Sequence, residues 1–402
     1  MNISEFAKIA GVSKSAVSRY FNNGYLSEDK RELIEKAIEE TGYAPSVSAQ
    51  NVRTKVTKLI GVILPKLSSL CCGFAIGGNM SKKYDVVALG ELLIDFTQNG
   101  LSSQGNTLFE ANPGGAPCNV LAVLQKLGHQ TAFIGKVGND IFGKKLCDVL
   151  DELRIDRSSL VLDKEVRTTL AFVETKDDGD RDFSFYRNPG ADMMLKESEV
   201  SVDALKNTKI FHFGSVSMTH EPVRTATYKA IQTAKESGAI LSFDPNLREP
   251  LWDSLKEARE CIHKGLLNCD ILKISDNEVQ WFTGKMDYIE GIEIIKEEYN
   301  IPLILLSMGK NGSRAYYKDK IIEAAPFLQK DTVETTGAGD TFGGACLHYI
   351  LEHDFMHLDE EKLKEMLVFA NAAASIITTR RGALRVMPEK KEIEKLILAE
   401  RR

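Results

Sequence analysis

From about residue 84 onward, short apolar runs alternate with longer stretches whose apolar positions recur at helical spacing. Thr131 to Val137, Lys209 to Phe213, Ala239 to Phe243, Asp270 to Ile274 and Pro302 to Ser307 are strand-sized and mostly apolar, as strands buried on both faces must be. Between them, Pro117 to Leu127, Pro222 to Ser237, Ser254 to Gly265 and Ile289 to Tyr299 predict helices. This alternation predicts an α/β, doubly wound and mostly parallel sheet with helices on both faces. Two stretches break the rhythm: Phe96 to Asn112, and Thr169 to Asn188, where apolar and polar residues alternate around Asp177-Asp178-Gly179-Asp180. Both read as exposed hairpins, which together would form a small sheet over the mouth of the larger one.

The first residues follow another pattern. Ile3, Phe6, Ala7 and Ala10 lie at helical spacing, and Gly11-Val12-Ser13 supplies a turn and an N-cap. A second helix then runs from Ser13 to Phe21, with Ala16, Val17 and Tyr20 inward and Lys14, Ser15, Ser18 and Arg19 outward. Ser27 caps a third, whose Leu33, Ile34, Ala37 and Ile38 form a stripe ending near Gly42. Three short helices with a tight turn between the first two predict a small all-α helix-turn-helix domain; a helical bundle without DNA stays open on periodicity alone. The boundaries expected are 1–64 for this domain, 65–82 for a linker or truncated remnant, and 83–402 for the α/β domain.

Composition narrows the classes. The chain has 402 residues, 43% hydrophobic and 27% charged, as in ordinary globular protein with room for two or three domains. Its net charge of −6 divides unevenly: residues 1–66 carry +3 and the remainder −9, so a nucleic-acid-binding end on an acidic body is permitted. Seven cysteines without paired C-x-x-C spacing indicate neither a disulfide framework nor a zinc site, and fit a reducing cytoplasm. The seven histidines show no metal-ligand spacing and read as surface or core residues, leaving any metal ligands unknown. No signal pattern opens the chain and no apolar run reaches the ~20 residues that span a bilayer, so no membrane association is expected.

Candidate chemistry concentrates in Thr335-Thr336-Gly337-Ala338-Gly339-Asp340-Thr341-Phe342-Gly343-Gly344-Ala345, a glycine-rich turn delivering one carboxylate to the start of an apolar helix. The backbone N–H groups of Gly337, Ala338 and Gly339 would converge on an anion at the positive end of the helix, and Asp340 would take a proton from an attacking hydroxyl. A merely capped helix start is the plain alternative. Asp95 is expected at the carboxyl end of the first strand, where ligands of open α/β sheets bind. Gly114 and Gly115 would let a ligand approach the backbone closely, and Asn119 offers a donor and an acceptor.

Two resemblances sharpen this picture. Ala7 to Arg19, Gly42-Tyr43-Ala44-Pro45, Ala49-Gln50, Arg53-Thr54 and Ile60-Gly61-Val62 resemble the DNA-binding headpiece of the lac-repressor family. The resemblance implies Lys14, Ser15 and Arg19 at the major-groove face, a hinge helix over residues 46–54, and Val52 at the position of an apolar minor-groove wedge that is usually leucine. Nothing of that family's sugar-binding body follows. Met80 to Val86 instead reads as a natural start of the second domain, and Gly77-Gly78-Asn79 can be encoded by GGAGGAAAT, which resembles a bacterial ribosome-binding site; a gene fusion with a vestigial headpiece is the expectation.

Gly114-Gly115-Ala116-Pro117-Cys118-Asn119-Val120-Leu121-Ala122 through Gly135-Lys136-Val137-Gly138-Asn139-Asp140 to Gly143, with the Thr335 to Ala345 segment, resemble the PfkB or ribokinase family of carbohydrate kinases. Within it the likeness runs to the fructokinases, through Gly90 to Asp95, Phe185 to Asp192, Asp244 to Arg248, Lys273 to Glu278 and Thr378 to Ala383. The resemblance implies a ribokinase-like fold with a β lid, ATP and Mg²⁺ as cofactors, fructose or a similar sugar as acceptor, and a homodimer built through the lid. It implies Asp340 as base with Gly337, Ala338 and Gly339 as anion hole, and Asp95, Gly114, Gly115, Asn119 and Arg187 toward the sugar, Arg187 with the alternative of a solvated lid residue. Lys273, Asn277, Glu278, Ser307, Gly309, Gly312 and Asn371 fall on the nucleotide side, Asn371 near the adenine. Two departures stand out: Gln280 occupies the usual glutamate position of an Asn-x-x-Glu motif, and Glu334 stands where many relatives have an aspartate linked to a monovalent cation, leaving K⁺ dependence open.

Overall fold

The structure, a computed structural model, describes residues 3–21, 26–41, 82–175 and 181–400. It divides into two compact units, Met1–Ser68 and Ser69–Arg402.

In the first unit, α1 (Ile3–Ile9), α2 (Lys14–Phe21) and α3 (Glu28–Thr41) are the expected helices. Gly11 takes a φ of 64° after α1, a conformation other residues resist, and Ser13 Oγ accepts the Ala16 N–H at 3.2 Å to start α2. Phe6, Ala7, Ala10, Val17, Ile34 and Ala37 are buried together. Leu33, expected in that stripe, is instead 48% exposed, because the three-residue step from Leu33 to Lys36 lies off the face defined by Ile34 and Ala37. Lys14 and Arg19 are exposed on α2, and Ser15 lies on the same helix. Val52 and the expected hinge helix lie outside the described residues, as does the linker up to residue 81.

The second unit is built on a nine-stranded sheet. Its strands are β1 (Tyr84–Leu89), β4 (Thr131–Gly138), β5 (Asp156–Asp163), β8 (Thr208–Gly214), β9 (Ile240–Asp244), β10 (Ile271–Ser275), β11 (Leu303–Ser307), β12 (Ser313–Tyr317) and β13 (Lys320–Ala324). The order is β13-β12-β11-β10-β9-β8-β1-β4-β5, parallel from β11 to β5, with β12 and β13 antiparallel at one edge. β1 pairs with β4 on one side and β8 on the other, so the chain reverses its winding direction there and opens a crevice at the carboxyl ends of the strands.

Alternate residues of β1 enter different cores. Val86 and Ala88 pack with Leu121, Leu124 and Phe133, under α4 (Ala116–Lys126), α11 (Ala338–Glu352) and α12 (Glu360–Ile377). Val87 and Leu89 pack with Phe211, Phe213 and Phe243, under α7 (Val223–Glu236) and α8 (Leu255–Leu266). Each fully buried phenylalanine here contributes roughly 1.5–3 kcal/mol relative to exposure. α4 and α11 approach closely: a Cβ on Gly344 would collide with Val123.

The two expected hairpins form one four-stranded lid in the order β3-β2-β6-β7, from β2 (Leu93–Leu101), β3 (Thr107–Gly114), β6 (Leu170–Thr175) and β7 (Arg181–Tyr186). β2 and β6 run parallel and join the hairpins. Phe96 stacks on Phe172 at 4.9 Å, and Phe109 and Tyr186 meet Phe172 edge-on at 5.4 and 5.3 Å. The first hairpin is longer than expected and spans residues 93–114. Asp95 is therefore a lid residue and does not end the first strand, which stops at Leu89. Gly90 and Glu91 mark the short break at residues 90–92, after which the chain turns into the lid.

Candidate active site

Two helix N-termini converge in the crevice. Gly337, at φ 75°, caps α11 and puts Ala338, Gly339 and Asp340 into its first turn. Asn119 lies in the first turn of α4 and donates from Nδ2 to Asp340 Oδ2 at 2.7 Å. The start of α4 is fixed by Glu91, whose Oε1 accepts the Ala116 N–H at 2.8 Å, and by Gly115, whose φ of 130° and contact with the Glu91 carbonyl leave no room for a side chain. Glu91 is buried, and burial pushes its carboxyl up to about 7. Asn119 Oδ1 is buried and has no hydrogen-bond partner. Such an acceptor calls for a donor that the protein does not supply.

Beside the start of α11 lies Lys273, in the middle of apolar β10. Its Nζ donates to Asp244 Oδ2 at 2.9 Å, pairing two buried charges on neighbouring strands. The same Nζ is 3.0 Å from where a Cβ on Gly339 would stand, so the ammonium lies against the first turn of α11. Burial raises Asp244 to about 6 even against the Lys273 charge, while the surrounding carboxylates Asp244, Glu278 and Asp340 hold Lys273 protonated despite burial. His212 is buried beside it with Nδ1 3.0 Å from Ser242 Oγ; burial and the Lys273 charge lower it to about 3, so it stays neutral. A phosphate is the group such a cradle of ammonium and helix N-terminus fits.

Asp340 is raised above the ordinary carboxylate value by burial, opposed by Asn119, Lys273 and Arg248. Asp95, opposite Asn112 on the lid, is raised to about 7 by burial, with Arg248 opposing and Glu334 and Asp340 adding to the rise. Gly114 lies directly against the Asp95 carboxylate. Asp95, Asn112, Glu334 and Thr336 wall one hollow, and a second, of about 280 Å³, adjoins it between Glu110, Lys145, Arg381 and Arg385.

The structure thus brings Asp340, Gly337, Ala338, Gly339, Asn119, Gly114, Gly115, Asp95 and Lys273 to one cleft. Other candidates land elsewhere. Arg187 is not a solvated lid residue: it is 7% exposed, and Nε donates to Asp192 (2.8 Å), Nη1 to Thr219 (3.0 Å) and Nη2 to the Val216 carbonyl (3.3 Å). Glu278 accepts from the Leu247 N–H (2.8 Å) through Oε1 and from Ser275 N–H and Oγ–H (2.9 and 2.8 Å) through Oε2, closing a capping box on α9 (Asp276–Thr283). Asn277 is exposed on that helix, and Gln280 donates to the Met286 carbonyl at 2.6 Å. Asn371 donates to the carbonyls of Ala324 (3.2 Å) and Ala325 (2.9 Å) beyond β13, while Ser307 ends β11 and Gly309 and Gly312 shape the turn after it. Asp140 caps α5 (Ile141–Glu152) and takes the Thr168 N–H at 2.8 Å, and Lys136 is buried between Asp163 and Glu199. The 135–143 signature therefore joins the lid to the body.

Three residues at the site were not singled out by spacing: Glu91, Asp244 and Arg248. A lone acid closing an apolar strand beside a strand with a lone lysine is the signal for Asp244, since buried charges must pair. Arg248 is exposed at the cleft mouth, where its charge favours the ionised forms of Asp95 and Asp340.

A fold with a β lid over a parallel sheet and a helix-borne aspartate beside an anion hole defines a phosphoryl-transferring enzyme of carbohydrate-kinase type. Residues 83–390 match the family model described as pfkB family carbohydrate kinase, and the chain belongs to that family. Residues 2–46 match the model of the lacI family of bacterial regulatory proteins. Fructokinase-1 of Zea mays is 43% identical over 315 residues, covering 78% of this chain and 97% of its own. The crystal structure of a fructokinase with bound ATP from Xylella fastidiosa superposes with a TM-score of 0.73 at 30% identity, covering 80% of this chain and all of its own. A fructokinase double mutant from Vibrio cholerae in its fructose-, ADP- and potassium-bound form gives 0.72 at 28% identity, covering 79% and 99%.

Proposed function

We propose that this carbohydrate kinase transfers the γ-phosphoryl group of ATP to the 6-hydroxyl of fructose. The observation that carries this reading is the convergence of Asp340, the unpartnered Asn119 Oδ1 and the Lys273 ammonium on one anion-binding helix start. Asp95 and Asn119 orient the sugar hydroxyls, with Gly114 and Gly115 allowing its approach. Asp340 accepts the proton as the hydroxyl oxygen attacks phosphorus, its raised carboxyl making it a better base near neutral pH. The amides of Gly337 to Gly339 and Lys273 hold the charge that builds on the phosphoryl oxygens. Support for fructose comes from the identity to plant fructokinases and the fold shared with a fructose-bound structure.

Ser307, Gly309, Gly312 and Asn371 shape the nucleotide side, Asn371 by fixing backbone beyond β13. Mg²⁺ accompanies ATP in this reading, but Glu278 fits poorly as its ligand because both its oxygens are engaged on the protein, Gln280 brings no charge to the ion, and no step here passes through it. Glu334 Oε1 accepts the Gly382 N–H at 2.7 Å beside the sugar hollow, and a K⁺ requirement would act through that loop. The exposed aromatic edge of the lid, with Tyr186 63% exposed, supports homodimerisation through the lid. A cytoplasmic enzyme suits the buried free cysteines, and among the described residues no helix is long and apolar enough to cross a membrane.

The headpiece, with Lys14 and Arg19 exposed on α2, would contact DNA mainly through phosphates, and affinity of that kind is only ~10⁻⁴ to 10⁻⁶ M at physiological salt. We take it as a vestige, so a chain beginning at Met80 retains full kinase activity. The deciding experiment is ADP release over a sugar panel, in which fructose gives the highest kcat/KM. Higher values for ribose or 2-keto-3-deoxygluconate would remove the fructose assignment, and tight operator binding that responds to fructose would make the protein a regulator.

A further inference from the structure

At the end of the sheet opposite the cleft, three ligand-type side chains meet that the phosphoryl transfer does not use. His129 lies in the turn between α4 and β4, and His348 and Glu352 stand one helical turn apart on α11, so they share a face. His129 Nε2 and His348 Nδ1 are 2.6 Å apart, and the ligand atoms of all three residues lie within 4.8 Å of one another. The histidines are 6% and 5% exposed, whereas Glu352 reaches solvent. We propose that His129, His348 and Glu352 form a site for a divalent ion of the zinc class, which clamps the far ends of α4 and α11.

The surroundings have the organisation of a metal site. Asp85 Oδ2 lies 3.6 Å from His129 Nδ1, and Asp85 is itself held by Lys209 (2.8 Å) and the Gln130 N–H (2.9 Å). A carboxylate behind a ligating imidazole fixes its orientation and tautomer, leaving Nε2 to the ion. In the metal-free protein one imidazole N–H donates to the other ring. Metal–nitrogen bonds of ~2.0–2.1 Å at a tetrahedral ion place two ligand nitrogens about 3.3 Å apart, so the rings part by less than ~1 Å on binding. Two imidazoles and one carboxylate suit Zn²⁺, Co²⁺ or Ni²⁺ and not Mg²⁺ or Ca²⁺, which take oxygen sets. Water from the exposed Glu352 side completes the coordination.

The same two helices carry Asn119 and Asp340 at their other ends and touch at Gly344. His348 is eight residues beyond Asp340, about 12 Å along α11. The ion therefore braces the helix pair from outside the reaction, without touching sugar or phosphate.

The test uses the full chain, tag-free and metal-stripped, titrated with Zn²⁺ and separately with Co²⁺. One ion per chain, a rise in Tm that grows with free Zn²⁺, and a visible Co²⁺ absorption band of a low-coordinate site are expected. Glu352→Gln, at a solvent-exposed position, is expected to keep the fold and the kinase kcat while weakening Zn²⁺ at least ~10-fold, the lower end seen even for loss of an outer partner. His348→Ala abolishes the Co²⁺ band. Absence of any Zn²⁺-dependent shift in the unmodified protein would overturn the site, and so would a shift that survives both substitutions, because the ion would then be held elsewhere.

Discussion

Two buried cation–aspartate pairs flank the cleft, and they differ in what they leave unused. Arg187 spends Nε, Nη1 and Nη2 on Asp192, Thr219 and Val216, and its partner Asp192 also receives the Thr169 hydroxyl. The pair fastens the root of the lid and has little left for a substrate. Lys273 gives one hydrogen bond to Asp244 and sets the rest of its ammonium against Gly339 in the first turn of α11. Both residues sit in segments that resemble the same enzymes. What separates a structural charge from a reactive one is whether donors remain unsatisfied where an anion would lie.

Substitutions sharpen that contrast. Lys273→Gln removes the charge facing the anion hole and lowers kcat by about 10²–10³, the loss typical for one preorganised donor to a developing charge. Sugar binding followed by calorimetry should survive, and an unchanged kcat would place Lys273 with Arg187 as scaffold. The second test is the pH profile. Burial raises Asp95 to about 7, so on acidification through that value it gains a proton and ceases to accept from the sugar hydroxyls. kcat/KM is therefore expected to fall on the acid side, by up to ~10-fold per pH unit, while Asp95→Asn is lower throughout and lacks that inflection. An inflection kept in the variant would assign it to Asp340.

Smaller effects are expected where donors are spent. Arg187→Lys keeps the charge but loses hydrogen bonds to buried acceptors, which destabilises by ~1–3 kcal/mol and lowers Tm, with kcat of the folded enzyme little changed. A large rise in KM without a change in Tm would mean that Arg187 reaches the sugar after all. Glu278→Gln weakens the cap of α9 by ~0.5–2 kcal/mol and leaves the Mg²⁺ concentration dependence of the rate unaltered. A shift in that dependence would make Glu278 an ion ligand.

Much of the architecture was legible because buried strands must be apolar on both faces. β4, β8, β9, β10 and β11 begin and end within one or two residues of their apolar runs, and the helices between them follow their stripes. The helix start at Gly337 to Asp340 was legible too, since it is one contiguous segment. Asp95 is a lid residue because Gly90-Glu91 ends β1 and a second apolar run, Leu92 to Ile94, opens a new strand; a two-residue interruption does not say which sheet that strand joins, and its pairing with β3 and β6 does. Arg187 and Glu278 were recognised as important, but side-chain partners far along the chain decide their roles. His129 and His348 are 219 residues apart, and no local spacing announces their meeting.

The most direct measurement is a rapid-quench comparison of Asp340→Asn with the unmodified enzyme at saturating sugar and ATP. Asparagine keeps size and polarity at the position beside Asn119 and removes the proton acceptor. The chemical step is expected to slow by at least ~10²-fold while both substrates bind as before. Near-normal phosphoryl transfer in the variant would contradict the assignment of Asp340 as base.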